Sequence, residues 1–155
     1  MKKLMLTLLM ATTFSQASAG IAIRDVFKAM PDSLMPYLSK NDRLDFIDFL
    51  DSGMKAEVKN HLGGTSQMIA LGPDSLTILM NPSLRVDMLT TDSVVVMIET
   101  FIVDSIYGES RVHYYSADWK PLISTPVLTE AQQQRISRLQ MQNIVKRNDD
   151  LLKKR

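Results

Sequence analysis

The stretch from residue 93 to residue 122 constrains the fold most, because it predicts two long β-strands joined by a short connection. Residues 93–103 are rich in Val, Ile, Phe and Thr, whose side chains fit a pleated, half-buried surface. Residues 104–109 contain the Asp, Ser and Gly that are typical of a turn. Residues 111–116 alternate polar and apolar side chains and lead to Trp119, the only tryptophan, which we expect to plug the edge of the core. This ribbon predicts the centre of a sheet.

Turn signals divide the preceding chain and indicate further strands between them. The signals are clusters of Gly, Pro, Asn and Asp at 63–64, 72–74 and 81–82. The segments that they bound alternate apolar and polar side chains, and they lie at 66–71, 75–80 and 84–90. Residues 56–60 add one more strand if they are extended. Because short connections favour neighbouring strands, the pattern predicts an antiparallel β-meander of about five or six strands.

Helices are predicted on both sides of these strands. Residues 21–30 have apolar side chains at helical spacing, and Pro31 ends this helix because the residue before a proline is pushed out of helical geometry. A second helix at 42–52 has Asn41 as its expected N-cap and Gly53 as its expected C-cap. Helices followed by strands and then a helix, without alternation, predict an α+β fold. We expect this α+β domain to span residues 20–125.

Residues 126–155 are predicted to be a basic C-terminal helix. Residues 129–132 form a capping-box sequence, and no glycine or proline interrupts the chain from 132 to 154. Seven basic residues stand against three acidic ones in this segment, and its apolar residues are sparse. Such a helix is expected to be dispensable for folding and to make peripheral contact with anionic surfaces.

Residues 1–19 have the pattern of a signal peptide. Lys2 and Lys3 precede an apolar run at 4–14 that only threonines interrupt, and Ala17-Ser18-Ala19 supplies the small side chains of a cleavage site. The run is shorter than the roughly 20 apolar residues of a membrane-spanning helix. We therefore expect cleavage after Ala19 and a periplasmic or secreted protein.

Cysteine content and charge exclude several kinds of site and partner. The chain contains no cysteine, which excludes disulfides, thiolate zinc sites and a lipid-modified cysteine. Removing the two lysines of the signal peptide leaves 16 basic residues against 17 acidic ones, and this balance argues against nucleic-acid binding. We expect no cofactor and no metal. The one acidic row fans around its helix instead of converging on a cation: Asp42, Asp45, Asp48 and Asp51.

The candidate binding residues are side chains on the polar faces of two predicted strands. We expect one solvent-exposed face of the sheet to present all of them: Arg85, Asp87, Arg111, His113 and Tyr115. No catalytic residue is assigned. If His113 acts as a general base instead, Glu99 or Asp104 supplies its carboxylate. His61 stands beside a glycine pair and is expected to be a turn residue.

Four short segments are distinctive: DVFKAMPDSLMPYL at 25–38, NDRLDFID at 41–48, YYS at 114–116 and DWKPL at 118–122. They resemble a family of small exported proteins of Bacteroidales bacteria, which is known as a domain of unknown function. The resemblance covers residues 23–122. It implies a periplasmic or surface setting in a Gram-negative bacterium, and it assigns no activity and no functional residue.

Three hypotheses of function follow from these observations. The first is an exported periplasmic binding or protein-interaction module, which uses the exposed sheet face to contact an envelope protein or a small ligand. The second is a small periplasmic hydrolase that uses His113 with a carboxylate. The third is an envelope-assembly factor whose basic tail contacts anionic lipid or another protein. A concave pocket that holds His113 and a carboxylate favours the enzyme, whereas a flat, aromatic sheet face favours the module.

Export gives the first testable prediction. Because the cleavage site lies after Ala19, protein purified from the periplasm is expected to begin at Gly20. N-terminal sequencing of the envelope-derived protein measures this directly. A chain that still begins at Met1 would contradict the prediction, and replacing Ala17 and Ala19 with Leu is expected to block the cleavage.

Overall fold

The computed structural model describes residues 20–102 and 108–140. Helices α1 (Ile23–Ala29) and α2 (Lys40–Asp51) come first, with a 3-10 turn at Asp32–Leu34 between them. The strands follow as β1 (Glu57–Lys59), β2 (Thr65–Leu71), β3 (Ser75–Asn81), β4 (Leu84–Thr90), β5 (Val94–Ile102) and β6 (Gly108–Ser116). A C-terminal helix, α3, occupies residues 130–140 of the described part. The predicted signal peptide, Asp104 and the rest of the basic tail lie outside the described residues.

The strands form one antiparallel sheet in the order β1-β2-β3-β4-β5-β6. This confirms the predicted α+β fold, with N-terminal helices, a meander and a C-terminal helix. The boundaries of β4 are those predicted, because turns flank it closely on both sides. Residues 56–60 do contribute the short strand β1. Each strand therefore pairs with its neighbours in the chain, as short connections require.

The sheet has an apolar layer on each of its faces. The inner face, defined as the face that α1 and α2 cover, packs its side chains against helix residues such as Phe27 and Phe46. The buried strand residues of this face include Leu76, Ile78, Met80, Val86, Met88, Val95 and Met97. The opposite, outer face has a smaller cluster formed by Leu89, Val94, Val96 and Ile98. If α1 and α2 were the only helices, this second cluster would be exposed to water.

A capping box fixes the start of α2, but not at the predicted residue. Ser39, rather than Asn41, is the N-cap. The backbone amide of Asp42 donates to Ser39 Oγ, and the backbone amide of Ser39 donates to the Asp42 carboxylate at 2.7 Å. The pair satisfies two amides that the first helical turn leaves without partners. At the other end Gly53 has φ +69°, as expected for a residue that closes a helix.

Arg43 on α2 is the largest buried polar side chain among the described residues, with 1% of its surface exposed. Its guanidinium donates to the backbone carbonyls of Phe27 and Met30, which end α1, and to that of Leu38. It also pairs with the Asp32 carboxylate at 2.8 Å. One side chain therefore ties α1, the 3-10 turn and α2 together. No sequence pattern predicted this burial, because an arginine in an amphipathic helix is normally solvated.

Arg43→Met is expected to lower the free energy of unfolding by about 3–5 kcal/mol, because it leaves several buried carbonyl groups without a donor. The matched control is Arg24→Met, which breaks an exposed ion pair with Asp51. Exposed pairs contribute at most about 1 kcal/mol. Urea unfolding followed by Trp119 fluorescence measures both variants. Equal effects of the two substitutions would show that Arg43 does not hold these elements together.

Trp119 lies in the core, as predicted, with 5% of its surface exposed. Its indole Nε1–H donates to the carbonyl of Val26 in α1 at 2.9 Å, and its ring lies 5.3 Å from that of Tyr115. The residue has φ +64°, which a bulky L-residue adopts only when its surroundings hold it there. The loop after β6 thus pins the first helix to the last strand.

The described part of the C-terminal helix is docked on the outer face, which argues against the prediction that this helix is dispensable for folding. Ile136 on α3 and Leu128 just before it are buried against the outer-face cluster. Arg135 forms a bidentate ion pair with the carboxylate of Asp74, which lies between β2 and β3. This pair lowers the pKa of Asp74, chiefly through the hydrogen bond from Arg135. No helix within residues 20–102 and 108–140 is long and apolar enough to cross a membrane.

Ile136→Ala is expected to lower the free energy of unfolding by about 2–5 kcal/mol, because it opens a cavity over the outer-face cluster. Gln134→Ala on the exposed side of α3 is the control and should change stability by less than about 0.5 kcal/mol. Thermal unfolding followed by circular dichroism checks both. If neither variant changes the melting temperature, α3 contributes nothing to the folded core.

Candidate functional site

The register of the sheet divides the candidate binding residues between its two faces. Directly paired residues share a face, and Val86 pairs with Glu99, which in turn pairs with Arg111. Arg111, His113 and Tyr115 therefore lie on the inner face. Arg85 and Asp87 alternate with Val86 and lie on the outer face. The prediction that one face presents all of these residues is wrong.

His113 and Glu99 form the centre of the inner-face site. His113 Nε2 lies 3.1 Å from Glu99 Oε2 across β5 and β6, as the hypothesis of a paired carboxylate requires. The side chains are 40% and 26% exposed, so solvent reaches both. Arg111 lies next to them, with its guanidinium 5.2 Å above the ring of Phe101. This end of the inner face is consequently polar and partly open.

Tyr115 is buried, and its predicted role on an exposed surface is wrong. It belongs to the inner-face core, and its ring lies 6.4 Å from His113 and against Trp119. Burial raises the pKa of the Tyr115 hydroxyl, and the negative charge of Glu99 raises it further. The chain has two adjacent tyrosines here, and Tyr114 packs on the outer face instead. Adjacent residues of a strand point to opposite faces, and the structure buries Tyr115, which the sequence had placed on the exposed face.

A cavity of about 170 Å³ adjoins this site on the inner face. One wall is the connector after α1, which contributes Leu34, Met35, Pro36 and Tyr37. The strands form the rest, through Met80, Leu84, Val86, Met97, Glu99 and Phe101. The cavity is thus mainly apolar, with one carboxylate on its wall. The connector residues were not among those predicted, although four consecutive apolar or aromatic side chains between α1 and α2 were a usable signal.

The inner-face site pairs a histidine with a carboxylate, and Ser124 and Thr125 line a surface pocket together with that histidine. A histidine that a carboxylate holds is the usual arrangement of a general base. The side chains around His113 in the register are Val95, Met97, Arg111 and Tyr115, and none of them is a serine, threonine or cysteine. Within the described ranges, no group of three or more His, Cys, Asp or Glu residues could hold a metal ion.

The outer-face residues form a separate polar cluster. Asp87 is 1% exposed and accepts a hydrogen bond from the Thr77 hydroxyl at 2.6 Å. Arg85 Nη2 donates to the same carboxylate at 3.0 Å. The prediction that Asp87 contacts a partner directly is wrong, since its burial leaves that contact to Arg85.

His61 and two aspartates of α2 lie in turns, helix caps or ion pairs that stabilise the fold. His61 is an exposed turn residue, as predicted, 3.4 Å from the carboxylate of Asp42. Asp42 belongs to the capping box, and Asp51 pairs with Arg24. The acidic row of α2 is therefore spread along the helix, as its spacing predicted.

By its fold and site, the protein is a small α+β protein with one antiparallel meander and a partly open inner face. The chain belongs to the family described as protein of unknown function (DUF3256), which matches residues 15–151. A solved structure titled "Structure of a domain of an uncharacterized protein from Porphyromonas gingivalis W83" is similar, with 21% identity and a TM-score of 0.55. The match covers 77% of this chain and 70% of that one, and at this identity it shows the fold alone. No curated protein matches the chain.

Glu99→Gln is expected to lower the pKa of Tyr115, because it removes the negative charge that disfavours the tyrosinate. Burial remains in the variant, so the pKa should stay above the ordinary value of 10.0. NMR titration of the tyrosine ring carbon measures the shift. Glu109→Gln on the same face is the control and should leave the pKa of Tyr115 unchanged. An unchanged pKa in the Glu99 variant would contradict the geometry of this site.

Proposed function

We propose that the protein is an exported periplasmic interaction module that binds a flexible segment of an envelope protein on its inner face. The observation that carries this proposal is the apolar cavity beside the Glu99–His113 pair. An apolar cavity with a few polar groups at its mouth is the usual form of a binding site. The signal-peptide pattern of residues 1–19 supports the setting.

The size of the cavity favours one amino-acid side chain as its occupant. Ligand pockets for drug-sized molecules typically enclose about 300–1,000 Å³. A cavity of about 150 Å³ holds a molecule the size of benzene. At about 170 Å³, the inner-face cavity therefore fits one large apolar side chain. A polypeptide partner supplies such a side chain together with a backbone that continues past the cavity.

The rim of the cavity suits the polar backbone of that segment. Glu99 offers hydrogen-bond acceptors, whereas His113 and Arg111 offer donors, and all of these lie within reach of solvent. β6 is also the last strand in the sheet order. Residues 120–122 pair with its outer edge at Tyr114 to Ser116, and no strand of the described sheet covers that edge from Gly108 to His113. Extended segments commonly add to such edges, where side chains enter neighbouring pockets. The inner-face cavity and the edge of β6 together provide both kinds of contact.

Selection from a random peptide library on residues 20–155 tests this function. Peptides that bind are expected to shift the methyl NMR signals of Met35, Met80 and Met97, which line the cavity. Val86→Leu puts a larger side chain into the cavity wall and so reduces the space for the ligand. It should weaken binding by about tenfold, since burying a large apolar side chain contributes about 1.5–3 kcal/mol. Val112→Leu on the outer face of β6 is the matched control and should bind normally.

The alternatives give different results in the same experiment. Equal binding by the native protein and the Val86 variant would refute the inner-face module. Cleavage of the selected peptide that His113→Gln abolishes would instead identify a hydrolase. Binding that Val86→Leu leaves intact, but that is lost when residues 141–155 are removed, would identify an assembly factor that acts through its basic tail.

A further inference from the structure

We infer that the outer-face groove beside Arg85 is a second binding site, which takes a small apolar monocarboxylate. This site is distinct from the inner-face cavity and does not depend on the function proposed for it. The register places Arg85 on the outer face, whereas the Glu99–His113 pair lies on the inner one. The two sites therefore lie on opposite faces of the sheet and share one wall residue, Leu84 at the start of β4.

Arg85 is held in a fixed orientation by buried groups. Its Nε and Nη2 atoms donate to the carboxylate of Asp87 at 3.0–3.3 Å. Asp87 is fixed in turn by the Thr77 hydroxyl at 2.6 Å. The Arg85 side chain is 20% exposed, so only part of its guanidinium reaches the surface. Among the described residues, no acceptor pairs with its Nη1 atom. A planar guanidinium that is fixed along one edge is preorganised to bind a carboxylate along another.

The groove beside Arg85 has the size and lining of a small-molecule site. Its volume is about 340 Å³, twice that of the inner-face cavity. Apolar walls come from Leu79, Pro82, Leu84 and Ile102. Thr65, Gln67 and Asn81 add polar groups, and Asn81 is already engaged with Tyr37 and Ser83. An apolar body with one polar end matches this lining.

The charges around the groove favour a single negative charge on the ligand. Arg85 is the only basic residue that lines the groove in the described part of the chain. Glu57 also lines it, although its carboxylate pairs with Lys55. Asp87 neutralises much of the Arg85 charge as well. The Arg85–Asp87 and Lys55–Glu57 pairs together have no net charge, so a dianion such as phosphate is not favoured, whereas a monocarboxylate uses the remaining guanidinium edge at lower electrostatic cost.

NMR titration of the chain from residue 20 to residue 155 tests this site with hexanoate as the probe. Hexanoate is expected to shift the Nε–H signal of Arg85 and the methyl signals of Leu79 and Ile102. Hexanamide has the same length without the charge, and it should bind at least about tenfold more weakly. Inorganic phosphate should not shift these signals at equal concentration. Equal shifts from hexanoate and hexanamide, or saturable binding of phosphate, would overturn the proposal.

Variants locate the site. Arg85→Lys keeps a cation beside Asp87 but loses the planar fork, so hexanoate binding should fall by about tenfold. Arg111→Lys on the inner face is the matched control and should bind as the native protein does. Leu79→Trp places a large ring in the groove directly opposite Arg85 in the register, and it should abolish binding while the chain stays folded. If Arg85→Lys fails to fold, the Leu79 variant decides: unchanged hexanoate binding in it would refute the site.

Discussion

The antiparallel register of β5 with β4 and β6 is the constraint on which the rest of the structure depends. It decides which side chain of each strand meets α1 and α2 and which meets α3. A shift of one residue would exchange the faces, so that Glu99 would leave the inner cavity and Ile98 would enter it. The register of β5 therefore determines the composition of both apolar layers and the position of both candidate sites. The long run of ladder hydrogen bonds in these strands makes that register secure.

Arg43 adds a second constraint on the inner face, because it fixes the connector that walls the cavity. The residue binds the carbonyl groups at the end of α1 and the carboxylate of Asp32, just ahead of the connector. Leu34 and Met35 are thereby held over the strands. A buried arginine of this kind needs nearly all of its donors paired, because a charge without partners is costly in the core. Its network thus links the stability of the helices to the shape of the cavity.

The two candidate sites differ in the ligands that they favour, for reasons of volume and charge. The inner-face cavity is small and apolar, and it lies beside a carboxylate–imidazole pair at a sheet edge, which suits a polypeptide segment. The outer-face groove is larger and contains a fixed guanidinium, which suits a small carboxylate. No serine, threonine or cysteine lies beside His113 in the β5–β6 register, whereas Ser124 and Thr125 line a surface pocket together with it. The proposal of binding therefore rests on the cavity and the groove themselves.

The sequence determined the strands, their order, the faces within each strand and the burial of Trp119, because alternation and turn chemistry act over a few residues. It also contained an unused signal for α3: the continuous apolar run of β5 is typical of a strand that is covered on both faces. Only the tertiary structure decided which face of one strand lies on the same side as a given face of the next strand. Alternation within a strand has a period of two residues and is therefore compatible with either pairing register. It also buried Arg43, whose acceptor at Phe27 lies 16 residues away. Contacts between such distant residues leave no local pattern in the sequence.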